Sequence, residues 1–298
     1  MTTLVLGACG QVGSALRATL GDDGTYVFAS RSDVDLEKPD LIADYLLREK
    51  PACIVNAAAY TQVDLAESEE EKAFAVNSTA VEILANYAFR HDATLVHYSA
   101  DYVFNGESPA PYLETDSPAP INVYGKSKWS GEQKIISSGC RHIIFRTSWV
   151  ISAFGKNFIK TILRLAQERD SLSVVNDQIG SPTSANLIAR VTKEILLSDS
   201  KDPIEKETYH LASSGATTWF DVAKFAIKTA NERDFKTRCS ESGVLPITTS
   251  QYPLPAPRPR YSRLNTGKLE KILCKGFPRW EHCVEEVVRE IVEGKVEL

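Results

Sequence analysis

No two of the six cysteines (Cys9, Cys53, Cys140, Cys239, Cys274, Cys283) form a C-x-x-C pair, and the five histidines do not fall at metal-ligand spacing. Reduced thiols and no structural metal are therefore expected. A basic surplus is also missing: the formal net charge is −5 and the pI is near 5.7, which argues against nucleic acid as a partner. No apolar run is long enough to span a bilayer, and no basic-then-apolar leader precedes the first apolar segment, so no membrane contact and a cytoplasmic location are expected. Internal repeats and low-complexity tracts are lacking as well. What is present is an ordinary globular composition over 298 residues, enough for one large domain or two closely joined ones.

Thr3 to Leu6 is a short apolar run, followed at once by Gly7-Ala8-Cys9-Gly10-Gln11-Val12-Gly13 and a periodic apolar segment to Leu20. This reads as strand, glycine turn, helix. Gly7 permits the tight turn, Gly10 lets a backbone approach a pyrophosphate, and Gly13 lets helix and strand pack closely, so the segment predicts a dinucleotide site. Tyr26 to Ser30 predicts the second strand, with Ser30-Arg31 at its tip. A hydroxyl and a guanidinium there favour NADPH, while Asp33 and Asp35 keep NADH open; Arg31 also fits an ordinary solvated loop cation. Asp40 to Glu49 predicts a helix and Cys53 to Val55 a strand. The strand leads into Asn56-Ala57-Ala58-Ala59-Tyr60-Thr61, whose small residues leave room for a ligand at a strand end. Asp64 to Arg90 has helical periodicity, and its acids Glu67, Glu69, Glu70 and Glu71 read as a solvated face. A further strand is expected from Thr94 through His97-Tyr98-Ser99 to a turn at Asn105-Gly106, and another from Arg141 to Val150.

Strand and helix alternate from residue 1 to about 150, which predicts a Rossmann-type, doubly wound parallel sheet binding NAD(P) over residues 1–150. Beyond Val150 the pattern loosens. Helices are expected at Asn157 to Arg169, Ser184 to Leu197, Thr218 to Arg233 and Trp280 to Val292, with strands at Leu172 to Val175 and Tyr209 to Ala212. Residues 151–298 read mainly as a smaller mixed α/β substrate lobe, with roughly 184–213 returning to the first domain. Ser250 to Asn265 holds four prolines and three arginines, Arg258, Arg260 and Arg263. It is either a rigid loop presenting cations to a diphosphate or a proline-stiffened linker.

Within Asn122-Val123-Tyr124-Gly125-Lys126-Ser127-Lys128, a helix would place Tyr124 and Lys128 four residues apart on one face. A free phenol titrates near pH ~10 and is a reluctant proton carrier at neutrality, whereas a nearby ammonium favours its phenolate. The pair reads as a proton-transfer device.

The glycine turn, the small-residue strand end, Ser99 and then Tyr124 with Lys128 occur in the order used by the extended short-chain dehydrogenase/reductases. Within them, several motifs resemble the dTDP-4-dehydrorhamnose reductases. These are Gly7 to Gly13, Asn56 to Thr61 with Val63-Asp64, Asp101-Tyr102-Val103-Phe104 with Gly106, Asn122 to Lys128, Phe145-Arg146-Thr147-Ser148-Trp149-Val150, Asn176-Asp177-Gln178 with Gly180 and Pro182-Thr183, and Arg258-Pro259 with Ser262-Arg263-Leu264-Asn265. The resemblance covers nearly the whole chain. It implies NAD(P)H-dependent reduction of dTDP-4-dehydro-L-rhamnose to dTDP-L-rhamnose, with Tyr124 giving its proton to the C4 carbonyl oxygen. Lys128 would hold the nicotinamide ribose and lower the Tyr124 pKa. By the same likeness Gly10, Gln11, Val12, Ser30, Asp35, Leu36, Ala59, Tyr60, Thr61 and Tyr98 line the cofactor, and Asp101 and Trp149 the sugar. Trp149 equally fits a core position on a buried strand. Gly7, Gly13, Arg31 and Ala58 join the cofactor set from the residue-level reading, and Arg258 and Ala100 the substrate set.

Two departures stand out. Ala100 occupies a position where the family usually has threonine or serine, and Ala15 stands where some members carry a glutamate used in a magnesium-bridged dimer. A monomer or weak homodimer without a metal bridge is the expectation. Ala100 keeps open a non-catalytic NADP-binding subunit resembling the regulatory subunit of methionine adenosyltransferase; a nucleotide-sugar epimerase or dehydratase is the remaining alternative.

Overall fold

The computed structural model describes residues 2–21, 24–198 and 206–294. Strands β1 (Thr3–Leu6), β2 (Tyr26–Ala29), β3 (Cys53–Asn56), β4 (Thr94–Ala100), β5 (Arg141–Thr147) and β6 (Glu207–His210) form one sheet in the order β6-β5-β4-β3-β1-β2. Every neighbouring pair in it is parallel. Helices α1 (Gln11–Leu20), α2 (Pro39–Glu49), α3 (Ala80–Arg90), α4 (Val123–Ser138) and α5 (Ala185–Leu196) flank it. Alternate strand residues serve opposite faces. Val5, Val55, Val96 and Ile143 pack with α1 and α5; Leu4, Ile54, Leu95 and Ile144 pack with α2 and α3. Burial on both faces is why these strands read as unbroken apolar runs. The chain steps outward from β1 to β2 and returns on the other side of β1 for β3, so the order reverses there. In open α/β sheets that reversal opens a crevice beyond the strands' carboxyl ends.

Beyond the sheet and its flanking helices, the later part of the chain holds helices Phe158–Glu168, Trp219–Asn231 and Trp280–Val292 and short strand pairs, of which Leu172–Val175 with Val244–Ile247 is the longest among the described residues. Among the described residues no helix is long and apolar enough to cross a membrane.

Several segments depart from the sequence reading. The long helix expected over Asp64 to Arg90 is broken into Val63–Ala66, Glu70–Phe74 and α3, with a π turn at Ala75–Thr79. Side-chain bonds explain the wide turn: Asn77 accepts from Tyr60 N at 2.9 Å, and its Nδ2 donates to the Tyr60 carbonyl and to Ser127 Oγ, both at 3.0 Å. Nor are its acids simply solvated. Glu67 accepts from Val123 N at 2.9 Å, and Glu69 accepts from the Tyr60 hydroxyl at 2.8 Å. The strand expected to reach Asn105-Gly106 stops at Ala100, paired with Thr147, because β5 ends there and leaves no partner; Asp101–Val103 curls into a 3₁₀ turn. Strand Tyr209 to Ala212 is shifted to Glu207–His210, and the long strand to Val150 is interrupted after Thr147.

Candidate active site

A cleft of about 490 Å³ opens beyond β1, β2 and β3. The glycine turn forms its floor. Gly7 has φ +78, and a Cβ there would stand 2.6 Å from Ala58 N; a Cβ on Gly13 would stand 2.1 Å from the Gly7 carbonyl oxygen. Side chains at either position would push the turn off the sheet. Gly10 caps α1 with no side-chain bond, and the first turn of α1 carries no acid, so its end is left to an anion.

Of the residues expected to hold the cofactor, Gly7, Gly10, Ser30, Arg31, Asp35, Leu36, Ala58, Ala59, Tyr60 and Thr61 line this cleft. Gln11, Val12 and Gly13 lie just beyond, in α1, where Gln11 Oε1 accepts from Asn157 Nδ2 at 3.1 Å. Tyr98 turns its hydroxyl the other way, 2.7 Å from Thr192 Oγ1; what it offers α4 is its carbonyl. Cys9, Val34, Glu37, Glu69 and Lys72 also line the cleft and were not anticipated. Glu37 and Lys72 are readable only in retrospect, as charge partners of Arg31 and Glu69. Arg31 Nη2 meets Glu37 at 2.6 Å and its Nε lies 3.5 Å from Asp35, on a side chain 72% exposed.

Tyr124 and Lys128, read from the sequence as a proton-transfer pair, sit on α4. Asn122 caps this helix by accepting from Gly125 N at 2.7 Å, and its Nδ2 donates to the Pro257 carbonyl at 2.9 Å, tying the proline-rich loop to the helix start. Gly125 lies so close to the 3₁₀ turn that a Cβ would stand 2.2 Å from the Tyr102 carbonyl oxygen. That contact brings Tyr124 against Tyr102, ring edge to face at 5.8 Å. Burial pushes the Tyr124 pKa up, and Asp101 and Tyr102 add to it. The expectation that Lys128 draws this phenol down is thus corrected: the phenol is held protonated, the form that donates. Lys128 is buried, donates to the Tyr98 carbonyl at 2.6 Å, and is pulled down to about 8 by burial against the opposing pull of Glu132.

Asp101 is buried beside this pair and accepts from Ser148 Oγ at 2.9 Å; burial raises its carboxyl to about 6. Ala100, just before it, carries no hydroxyl, and the Ser99 hydroxyl is bound to Glu132. Trp149 has φ 45 and stacks on Trp219, ring centroids 3.7 Å apart. Arg258 Nη2 meets Asp64 at 2.8 Å, near Tyr102, whose hydroxyl it draws down against burial. Of the three arginines expected to face an anion, Arg258 alone joins this cluster through a described ion pair, and Asp64 already balances its charge.

The family described as RmlD substrate binding domain matches residues 1–293. A dTDP-4-dehydrorhamnose reductase of Salmonella typhimurium (strain LT2) is 42% identical over 98% of both chains. One from Escherichia coli (strain K12) is 40% identical over the same shares. Among solved structures, the dTDP-4-dehydrorhamnose reductase of Bacillus anthracis str. Ames in complex with NADP superposes with a TM-score of 0.87 at 33% identity, covering 97% of this chain and 100% of that one. A cleft floored by a glycine turn, a tyrosine and lysine one helical turn apart with the tyrosine packed in one cluster with Tyr60 of the cleft, and likeness over the full length agree: the chain belongs to the dTDP-4-dehydrorhamnose reductase family.

Proposed function

We propose that the protein reduces the C4 ketone of dTDP-4-dehydro-L-rhamnose with NADPH, yielding dTDP-L-rhamnose. The observation that carries this reading is the placement of Tyr124, protonated and near Asp101, one helical turn from Lys128 and packed in one cluster with Tyr60, which lines the cleft. The residues present fit a dinucleotide: the open N-terminus of α1 suits the pyrophosphate, and Gly7 and Gly13 leave the turn low enough for close approach. When bound, NADPH supplies the hydride. Tyr124 donates the proton to the C4 oxygen, and Lys128 binds ribose hydroxyls. Asp101 and Trp149 orient the sugar, and Arg258 stands toward the diphosphate. Full-length relatives named as reductases give no support to the regulatory-subunit or epimerase readings. NADPH oxidation with dTDP-4-dehydro-L-rhamnose, with the product identified by NMR, is the deciding assay; no oxidation at saturating sugar nucleotide overturns the reading. We further propose a cytoplasmic enzyme, on the six free thiols, and a monomer or weak dimer without a metal bridge, since Ala15 is buried and brings no carboxylate.

NADPH should be preferred, with Arg31→Ala narrowing the preference. Arg31 is largely exposed and shared with Glu37 and Asp35, so its contribution is that of a surface pair, up to about 1 kcal/mol, or roughly fivefold in kcat/KM ratio. Equal kcat/KM for NADPH and NADH in the unaltered protein would remove Arg31 from the site.

Asp101 sets a pH dependence of both activity and stability. Its negative charge disfavours the Tyr124 phenolate, so Asp101→Asn should move the alkaline limb of kcat to lower pH. A carboxyl raised to about 6 from 3.8 contributes stability that is full below pH 3.8 and lost as pH rises through 6. Asp101→Asn should therefore raise Tm at pH 8 relative to the unaltered protein and give no such gain at pH 4. An unmoved alkaline limb, or a Tm gain at pH 4 as large as at pH 8, contradicts this.

A further inference from the structure

The amide of Asn56 has one orientation that its neighbours accept. Its Oδ1 takes the Ala58 N–H at 3.2 Å; turned over, the amide would set donor against donor. Its Nδ2 therefore faces His97 Nδ1 at 3.1 Å and donates to it. A neutral imidazole that accepts at Nδ1 carries its proton on Nε2. His97 is fully buried and kept neutral, its pKa pushed well down by burial. Its Nε2 lies 3.3 Å from Lys128 Nζ, which also donates to the Tyr98 carbonyl. An ammonium here would meet the ring N–H donor to donor. A neutral amine accepts from Nε2–H with its lone pair, donates one hydrogen to the Tyr98 carbonyl and keeps the other free.

We propose that Asn56 and His97 are positioning residues that hold Lys128 as the neutral amine in the cofactor-free protein. The other charges around Lys128 do not reverse this. Glu132, one turn along α4, favours the ammonium, but its carboxylate is taken up by Arg146 from β5 at 2.7 Å and by Ser99 from β4. Tyr124, one turn back, is protonated, and Asp101 stands beyond it. Asn77, across from the same helix, is neutral and bound to Ser127. Burial already brings Lys128 down to about 8, and the ring N–H acts in the same direction. The consequence for the reaction is that the lysine leaves the phenol its proton until a ligand rearranges the donors.

The inference rests on reading Lys128 as the active-site lysine but not on which sugar is reduced. Its test is the titration of the Lys128 Cε resonance by carbon-13 NMR in cofactor-free protein. The midpoint is expected below about 8 in the unaltered chain, and at least about one pH unit higher in Asn56→Asp, where the carboxylate accepts from Nδ1–H and Nε2 is freed to accept from the ammonium. Added charge alone would also raise it, so the same change is made in a His97→Leu background, where the shift should fall to less than about half. A midpoint near that of a solvated lysine in the unaltered protein overturns the proposal, as does an undiminished shift without His97. The unaltered protein decides the first point even if the variants do not fold, and failure of the sugar-nucleotide assay leaves this titration intact.

Discussion

Tyr124→Phe is expected to lower kcat by about 10²- to 10⁴-fold, the usual worth of a positioned general acid, while NADPH binds as before. In the proposed mechanism the phenol's hydroxyl supplies the proton, and the ring itself packs against Tyr102 at 5.8 Å, a contact that phenylalanine keeps. Nothing in the glycine turn or the Ser30-Arg31 tip depends on Tyr124, so fluorescence titration with NADPH should give an unchanged Kd. Lys128→Met provides the contrast: the proposed ribose contacts go with the amine, and both Kd and kcat should suffer. The methionine variant should nevertheless fold. A lysine whose folded pKa is lowered to about 8 from 10.5 gives stability that is lost as pH falls through that window, so its removal relieves a cost at neutral pH. Normal turnover in Tyr124→Phe would sink the mechanism.

Ala100→Thr should raise kcat by at least about tenfold. A preorganised donor aimed at a developing oxyanion is worth up to about 2.7–4 kcal/mol, and tenfold is a conservative share of it. Ser99 does not stand in, because its hydroxyl is committed to Glu132 on the opposite face of β4. One unused hydroxyl is Thr147 Oγ1, buried, without a partner among the described residues, and paired across the sheet with Ala100. Parallel register places both side chains on one face, so a threonine at 100 would also give Thr147 a neighbour to bond. The comparison is kcat for both forms at saturating NADPH and sugar nucleotide. A fast unaltered enzyme with no gain from threonine would show that the hydroxyl is dispensable here.

What could be read from the chain was what depends on local geometry. Gly7 and Gly13 belong to a turn of seven residues, and Tyr124 with Lys128 to the pitch of a single helix, so their local geometry was legible: the turn and both helices form where the spacing puts them. The sheet followed from apolar runs at β1, β3 and β5. Features that depend on distant partners were hidden. Arg258 looked like a free cation because its counter-ion Asp64 is 194 residues away. Glu67 looked solvated because the amide it holds, Val123 N, begins another helix. The break after Ala66 was invisible because acidic and apolar residues keep helical periodicity across it. The lowering of Lys128 could not be read from α4, since His97 and the Tyr98 carbonyl arrive from β4.

The π turn at Ala75–Thr79 makes chain length a variable in its own right. Such a turn holds one residue more than the α-helix around it. Deleting that residue would let the helix close into regular pitch, with Glu70–Phe74 and α3 still presenting the same faces to their neighbours. Asn77 would then rotate away from Tyr60 and Ser127, and the loop that ends β3 would come loose from α4. A single-residue gap at this point in an alignment therefore marks a protein that keeps the fold and gives up the clamp between the loop that ends β3 and α4.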